Sequence, residues 1–410
     1  MKMNAYVVGV GMTLFGKHLD RGLKSLSAEA VSAAIADAGI SPAQIQAAYM
    51  SNAAAGVMTG QEMIRGQVCL RPLGIGGIPV INVENACASA STAFNQAAAM
   101  VSAGLYDIVL AAAVEKLYDE NKAKSFAAFG GGIDVEAMRA QIAEAKKAEA
   151  SAPKAAAADA GSKGTIFMDF YAASARIHMK LYGTKAEDFA AISVKNSFHG
   201  SMNKRAQFRE ALSLADVLSA PLIADPLTRP MCSPIGDGAA AVVIMSERKA
   251  RELGLLDRAV RVLSSVLRSG FDHDRDASGA AELCVDDVYA EAGLGPNDLN
   301  VIELHDASAP AELMAYESLR LCAKGESATL IQSGATRLGG RVPVNTSGGL
   351  LRKGHPVGAT GIAQIVELTE QLQGRSGARQ VAGARIGLAH NNGGSLGGDV
   401  AAACVTILQR

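Results

Sequence analysis

VNTSGGLLRKGHPVGATG, residues 344–361, sets five glycines, a histidine and a proline between two apolar segments. The glycine–histidine–proline order places His355 just ahead of TGIAQIVELTEQLQG (360–374), which has the spacing of an amphipathic helix. A matching junction comes earlier. In NVENACASASTAF (82–94) an apolar, strand-like run gives way to a helix-like one at Cys87. Both junctions belong to a unit that the chain carries twice. IADAGISPAQIQAAYMSNA (35–53) resembles VYAEAGLGPNDLNVIELHDA (288–307): each reads as a helix end, a Gly–x–x–Pro turn and an apolar strand. Beyond the first junction the chain continues through a helix to DIVLAAAVE (107–115), and beyond the second to ARIGLAHNN (384–392).

The order βαβα in both halves implies an α/β fold with two similar sheets, parallel or mixed, sharing helices. Its expected parts are a first half at 1–118 plus 226–250, a loop domain at 119–225 lying over the seam, and a second half at 251–410. Within the loop domain, a low-complexity Ala/Lys/Asp insertion at about 143–164 reads as a mobile surface segment. MDFYAASARIHMKLYGTKAEDFAAISVKNSFH (168–199) reads as two helices, and PLTRPMCSPIGDGAAAVVIMSE (226–247) as a return to the sheet. Ligands of open α/β units bind beyond the carboxyl ends of strands, so duplication should set Cys87 and His355 against each other.

Composition narrows the functions available. With 410 residues, 49% apolar and 19% charged, the chain can bury a large core. Its 39 basic and 40 acidic side chains leave no electrostatic footprint for nucleic acid or a membrane surface. No apolar segment reaches the roughly 20 residues of a spanning helix. The N-terminal run, broken by glycines, reads as a first strand rather than a signal peptide. The six cysteines lie far apart with no CxxC pair, which disfavours disulfides or a zinc site and suits a reduced, cytoplasmic protein.

Cys87 falls at a helix N-terminus followed by small residues, where the helix dipole lowers a thiol's pKa and a bulky acyl group can approach. The other five cysteines read as structural. His355 sits where an imidazole is kept neutral and accepts a thiol proton. His305, in ELHDASA, ends an apolar strand, and Asp306 beside it reads as a brace for a neighbouring loop. His390 ends another strand and leads through Asn391 into Gly393 and further glycines, whose N–H groups can form an anion-binding concavity.

NACASAST (85–92), ELHDASAPAELMAYESLRLC (303–322), NTSGGLLRKGHPVGATG (345–361) and LAHNNGGSLGG (388–398) together resemble the thiolase superfamily, in its sterol-carrier-protein-type and archaeal-type branches. The similarity covers nearly the whole chain, with about 120–165 lacking a counterpart. It implies a duplicated, five-layered αβαβα fold with an inserted loop domain, assembled as a homodimer or a dimer of dimers. It also implies an acyl-CoA C-acyltransferase that uses coenzyme A as substrate and acyl carrier and needs no metal in this chain. By that resemblance Cys87 matches the acylated nucleophile, His355 its base, and His305 the residue that polarises the second thioester. The reaction is thiolysis of a 3-oxoacyl-CoA or the reverse Claisen condensation. Two departures stand out. Thiolases usually carry a second, proton-shuttling cysteine in a CxGGG or HDCF loop, but this chain reads AHNNGG and HDAS. His390, His305 or a water held by them are the candidates to replace it, Ser308 being too weak a base unaided. Ser308 also stands where such loops carry Phe, which suggests a bulky acyl part, aromatic or branched, such as a 2-aroylsuccinyl-CoA. Branches with these loops often associate with a small zinc-ribbon/OB-fold subunit. Alternatives are acyl transfer to a small acceptor, an aldolase in a multi-subunit complex, and a non-catalytic scaffold.

Overall fold

Alternation in the apolar strands decides the layering. In β4 (Ile108–Glu115) Ile108, Leu110, Ala112 and Val114 join one buried cluster while Val109, Ala111 and Ala113 join another, so the strand is covered on both faces. The computed structural model that reveals this describes residues 3–150, 165–274 and 277–410. The strands in chain order are β1 (Ala5–Met12), β2 (Ala47–Ser51), β3 (Val80–Val83), β4, β5 (Leu222–Ala224), β6 (Leu227–Thr228), β7 (Gly238–Met245), β8 (Val260–Ser269), β9 (Val301–Glu303), β10 (Ile386–Gly393) and β11 (Ala402–Gln409). The longer helices are α1 (Leu23–Ala38), α2 (Ser89–Ser102), α3 (Lys122–Phe129), α4 (Val135–Ala150), α5 (Ile166–Tyr182), α6 (Ala186–Ser201), α7 (Ala280–Ala292), α8 (Ala309–Ser318) and α9 (Thr360–Leu372).

Nine strands form one hydrogen-bonded mixed sheet in the order β3-β2-β4-β7-β1-β8-β11-β10-β9. Its centre is the antiparallel contact of β1 with β8, which runs only from Ala5↔Val262 to Val7↔Val260. Either side of that short ladder the order repeats: β1, β7, β4 and β2 outward on one side match β8, β11, β10 and β9 on the other. The two halves fold over a central layer made by α2 and α9, whose apolar faces share one core with both sets of strands. Helix α1 covers the outer face of the first half and α7 that of the second. The layers are therefore αβαβα, as expected, with the two sheets continuous along one edge.

The duplicated turns explain why the halves match. Helices α1 and α7 both stop at a glycine in the left-handed region, Gly39 (φ 69°) and Gly293 (φ 68°), a conformation that costs other residues about 1 kcal/mol. Each then enters a one-turn 3₁₀ segment opened by Pro42 or Pro296, and the strand follows. At the seam α2 and α9 approach so closely that a Cβ on Gly361 would lie 2.0 Å from Ser91 Oγ. Only glycine permits that spacing, and it brings the starts of the two helices together.

The chain between β4 and β7 carries α3–α6 and the β5–β6 hairpin. Helices α5 and α6 fall on the run read as two helices. The predicted insertion at about 143–164 begins in the last turns of α4, and 151–164 lie outside the described residues. Among the described residues no helix is long and apolar enough to cross a membrane.

Candidate active site

Cys87 occupies a 3₁₀ turn (Ala86–Ala88) directly ahead of α2, and His355 the turn between the short helix Gly349–Lys353 and α9. Ala86, just before the cysteine, holds φ 48°, a left-handed conformation that costs a β-carbon residue about 1–2 kcal/mol and marks a turn held by its surroundings. Glu84 Oε1 (2.5 Å) accepts its N–H. The sulfur of Cys87 and one ring nitrogen each of His305 and His355 lie within 4.8 Å of one another. The two imidazoles meet edge to face, with centroids 5.3 Å apart. Seams of both halves thus converge on one point.

The protonation states follow from burial. His355 Nδ1 lies 2.7 Å from Thr360 Oγ1, whose own hydroxyl donates to the Pro356 carbonyl (3.2 Å). Thr360 therefore accepts Nδ1–H, and the lone pair of His355 is on Nε2. Burial pushes the His355 pKa down to about 3 and that of His390 to about 4. It also drives His305 well below its usual value, helped by the two neighbouring imidazoles. The expectation that the helix start would lower the Cys87 pKa is corrected. Burial pushes that thiol up to about 12, with the Glu115 carboxylate adding, and outweighs the N–H of Gly394 that points at the sulfur. At rest the pair is a neutral thiol and a neutral imidazole. The low-polarity surroundings penalise each charge alone, whereas a thiolate beside an imidazolium compensates both.

Buried polar groups hold this arrangement from behind. Glu115, at the end of β4, accepts the N–H of Ala53 (3.0 Å), Ala54 (3.2 Å) and Gly358 (2.8 Å) and an amide hydrogen of Asn52 (3.0 Å). It thus fastens the His355 turn of one half to a loop of the other. Asp306 accepts the N–H of Leu350 (2.7 Å) and Leu351 (3.3 Å), the bracing role read from sequence. Asn345 takes the N–H of Leu304 (2.9 Å), one residue before His305. A buried ion pair, Lys353 with Glu303 (3.3 Å), ties the two histidine-bearing segments once more.

Cys87, His305, His355 and His390 open into a cavity of about 720 Å³. Its lining includes five aromatic side chains, Phe126, Phe129, Phe167, Tyr171 and Phe208, a concentration notable in a chain only 4% aromatic. Lys17, Lys122 and Arg229 stand exposed on its rim with no ion pair among the described residues. Not every residue singled out from sequence reaches this space. Ser308 is fully buried, caps α8 by accepting the Ala311 N–H (3.3 Å), and lies off the wall. It does not itself widen the cavity, whose lining there is Ala307 and Ala311. Asn391 turns to Gln364 (3.2 Å), and Gly393 presses its backbone on Asn85 and Ala88, while Asn392 and Gly394 line the cavity instead. Cys232, read as structural, lines it too. The sequence analysis also missed Glu115, although an acid closing the apolar run IVLAAAVE was a signal, and Thr360, which gave none.

The chain matches two family models: Thiolase, N-terminal domain, over residues 5–215, and Thiolase C-terminal domain-like, over residues 272–410. It is 38% identical over 396 residues to the acetyl-CoA acetyltransferase of Methanothermobacter thermautotrophicus, covering 95% of this chain and 96% of that protein. It is 34% identical over 403 residues to the benzoylsuccinyl-CoA thiolase subunit BbsB of Thauera aromatica, covering 96% of each. Among solved structures, the Ltp2-ChsH2(DUF35) aldolase superposes with a TM-score of 0.76 at 25% identity, over 99% of this chain and 97% of that one. Two family models spanning most of the sequence, relatives matched nearly end to end and a cysteine–histidine pair at the seam of a duplicated fold agree: the chain belongs to the thiolase family.

Proposed function

We propose that this thiolase-family acyltransferase works through an acyl-Cys87 intermediate, cleaving a 3-oxoacyl-CoA with coenzyme A or running the reverse condensation. The reading rests on one observation, the meeting of the Cys87 sulfur with nitrogens of His305 and His355 within 4.8 Å on the wall of a cavity. In the cleavage direction His355 Nε2 takes the thiol proton as sulfur attacks the 3-oxo carbonyl. The C2–C3 bond breaks, leaving an acyl thioester on Cys87 and an enolate on the departing thioester. His305 donates to the thioester oxygen on which that negative charge collects, and the Gly394 N–H supports the attacking sulfur. Coenzyme A thiol then attacks acyl-Cys87 and restores the free thiol. The exposed lysines and arginine on the rim suit the phosphates of coenzyme A, and described residues of 119–225, taken as a loop domain, line the cavity that would hold the acyl part.

The aromatic lining favours a bulky acyl part, aromatic or branched and carboxylated, of the 2-aroylsuccinyl-CoA kind. That a relative is named a benzoylsuccinyl-CoA thiolase subunit supports the same class. The word "subunit", and a structural neighbour solved together with a DUF35 protein, support a working form with a small zinc-ribbon/OB-fold partner alongside a homodimer. Location in the cytoplasm completes the reading. Thiolysis of a panel of 3-oxoacyl-CoAs, run with and without co-purifying protein, tests it. Aryl-substituted substrates should be cleaved at least ~10-fold faster than acetoacetyl-CoA. Equal or reversed rates would remove the bulky-substrate assignment, and no thiolysis of any member would remove the reaction.

A further inference from the structure

The side chains that meet at the seam have a second chemistry available to them. The Cys87 sulfur and one ring nitrogen each of His305 and His355 lie within 4.8 Å of one another, and this is the one such cluster of three among the described residues. A thiol and two imidazoles are the donor set that takes Zn2+ in preference to Mg2+ or Ca2+. A tetrahedral zinc centre holds nitrogen and sulfur at about 2.0–2.3 Å and so spaces its ligands about 3.3–3.6 Å apart. Small side-chain rotations bring the present spread to that distance.

Two further observations point to a ligand at this place. His305 Nε2 is buried without a hydrogen-bond partner among the described residues, although buried polar atoms nearly always find one. Gln207 and His390 also carry unpartnered atoms and line the same cavity, but neither joins the cluster. His305 alone of the three has a thiol and a second imidazole within reach. His355, for its part, is already set as a ligand would be. Its Nδ1–H goes to Thr360 Oγ1 (2.7 Å), which fixes the ring and leaves the lone pair on Nε2. Near the sulfur stand the carboxyl groups of Glu115 and Glu84, which disfavour a lone thiolate and favour a cation beside it. All three ligands line the cavity, so a fourth position is open to water.

We propose that Cys87, His305 and His355 bind a Zn2+ ion, and that the ion inhibits the enzyme by occupying the sulfur that substrate must acylate. Binding stands on the geometry alone, whereas inhibition rests on the thiolase reading above. In the binding step the Cys87 S–H proton passes to solvent. The sulfur and the two imidazoles each give an electron pair to the ion, a water from the cavity gives the fourth, and nothing is oxidised or reduced. An acylated Cys87 has no thiolate to offer, so the zinc form and the acyl-enzyme exclude each other.

The test uses the chain as purified, with any co-purifying partner, and with Zn2+ and Co2+ as probes. In chelator competition the wild type should bind one Zn2+ more than Cys87→Ala. With Co2+ it should show thiolate-to-metal charge-transfer absorption that Cys87→Ala lacks. Zn2+ should slow both iodoacetamide labelling and acetylation of the Cys87 peptide, and a chelator should restore both. His305→Asn should weaken Zn2+ binding at least ~100-fold, and Thr360→Val, which keeps all three ligands but frees the His355 ring, by ~10–100-fold. Equal Zn2+ uptake by the wild type and Cys87→Ala would overturn the proposal, as would a Co2+ spectrum without the thiolate band. Labelling of Cys87 unchanged under saturating Zn2+ would overturn it too. If Zn2+ protects Cys87 but the metal-free wild type acquires no acetyl group from acetyl-CoA, the metal site stands and the thiolase reading falls.

Discussion

The two halves share a topology but not a chemistry. In the first, strand β4 ends in Glu115, whose two oxygens accept five hydrogen bonds and are used up in holding loops. In the second, the matching strand β10 ends around His390, whose nitrogens have no partner among the described residues, beside an equally open Asn392. The first half gives Cys87, the proposed nucleophile, and the fastening. The second gives the imidazoles His305, His355 and His390, all kept neutral by burial. Duplication supplied two equivalent strand ends, and among the described residues one is closed by hydrogen bonds while the other keeps an unpartnered imidazole. Because Glu115 binds the Gly358 N–H of the opposite half, the closed end also sets where the open end stands.

Removing the nucleophile breaks the comparison most severely. Cys87→Ala should lower turnover of any thioester substrate at least ~10³-fold without a change in melting temperature, read by steady-state kinetics and thermal unfolding. Replacing the base comes next. His355→Gln should slow formation of the acyl adduct by ~10²–10⁴-fold in rapid-quench mass measurements, with little effect on how much thioester binds. Glu115→Ala attacks the closed end: five donors lose their acceptor at once, so stability should fall by about 3 kcal/mol in denaturant unfolding. Its activity should fall as well, because the His355 turn loses an anchor. Thr360→Val leaves that anchor but frees the His355 tautomer, and about a 10-fold loss in the acylation rate is expected, with stability nearly unchanged.

The pH dependence separates the halves by sign. The histidines of the second half have folded pKa values below the unfolded 6.5, so the unfolded chain binds their protons more readily. Their effect on stability is level above pH 6.5 and turns increasingly unfavourable as pH falls toward about 4 and then about 3. The Cys87 thiol has a folded pKa near 12, above its unfolded value, so thiolate-dependent alkylation should be slow at pH 7 and climb through the alkaline range. Iodoacetamide labelling against pH reads this directly.

Local signals carried a good part of this into the sequence. The repeated Gly–x–x–Pro turns and apolar runs announced duplication because left-handed caps and strand alternation depend on neighbouring residues alone. Cys87, His305, His355 and His390 were visible because each sits at a strand or helix end with glycines or small residues around it. What depended on distant partners was not visible. Nothing near Gly358 shows that Glu115, from the other half, takes its N–H. The charge state of Cys87 was misread because the helix start is local whereas burial is a property of the whole fold. Ser308 was assigned to the cavity from its position in the HDAS loop, but the turn has its hydroxyl accept the Ala311 N–H. The aromatic lining comes from separate segments, and no single stretch reveals that they converge.

The central claim is that sulfur from one half and an imidazole from the other act on a single carbonyl carbon. Peptide mapping after brief exposure of the wild-type chain and of His355→Gln to acetyl-CoA tests it most directly. The account expects an acetyl group on the Cys87 peptide alone, formed quickly in the wild type and far more slowly in the variant. An adduct on another residue, or equal rates in the two proteins, would contradict it.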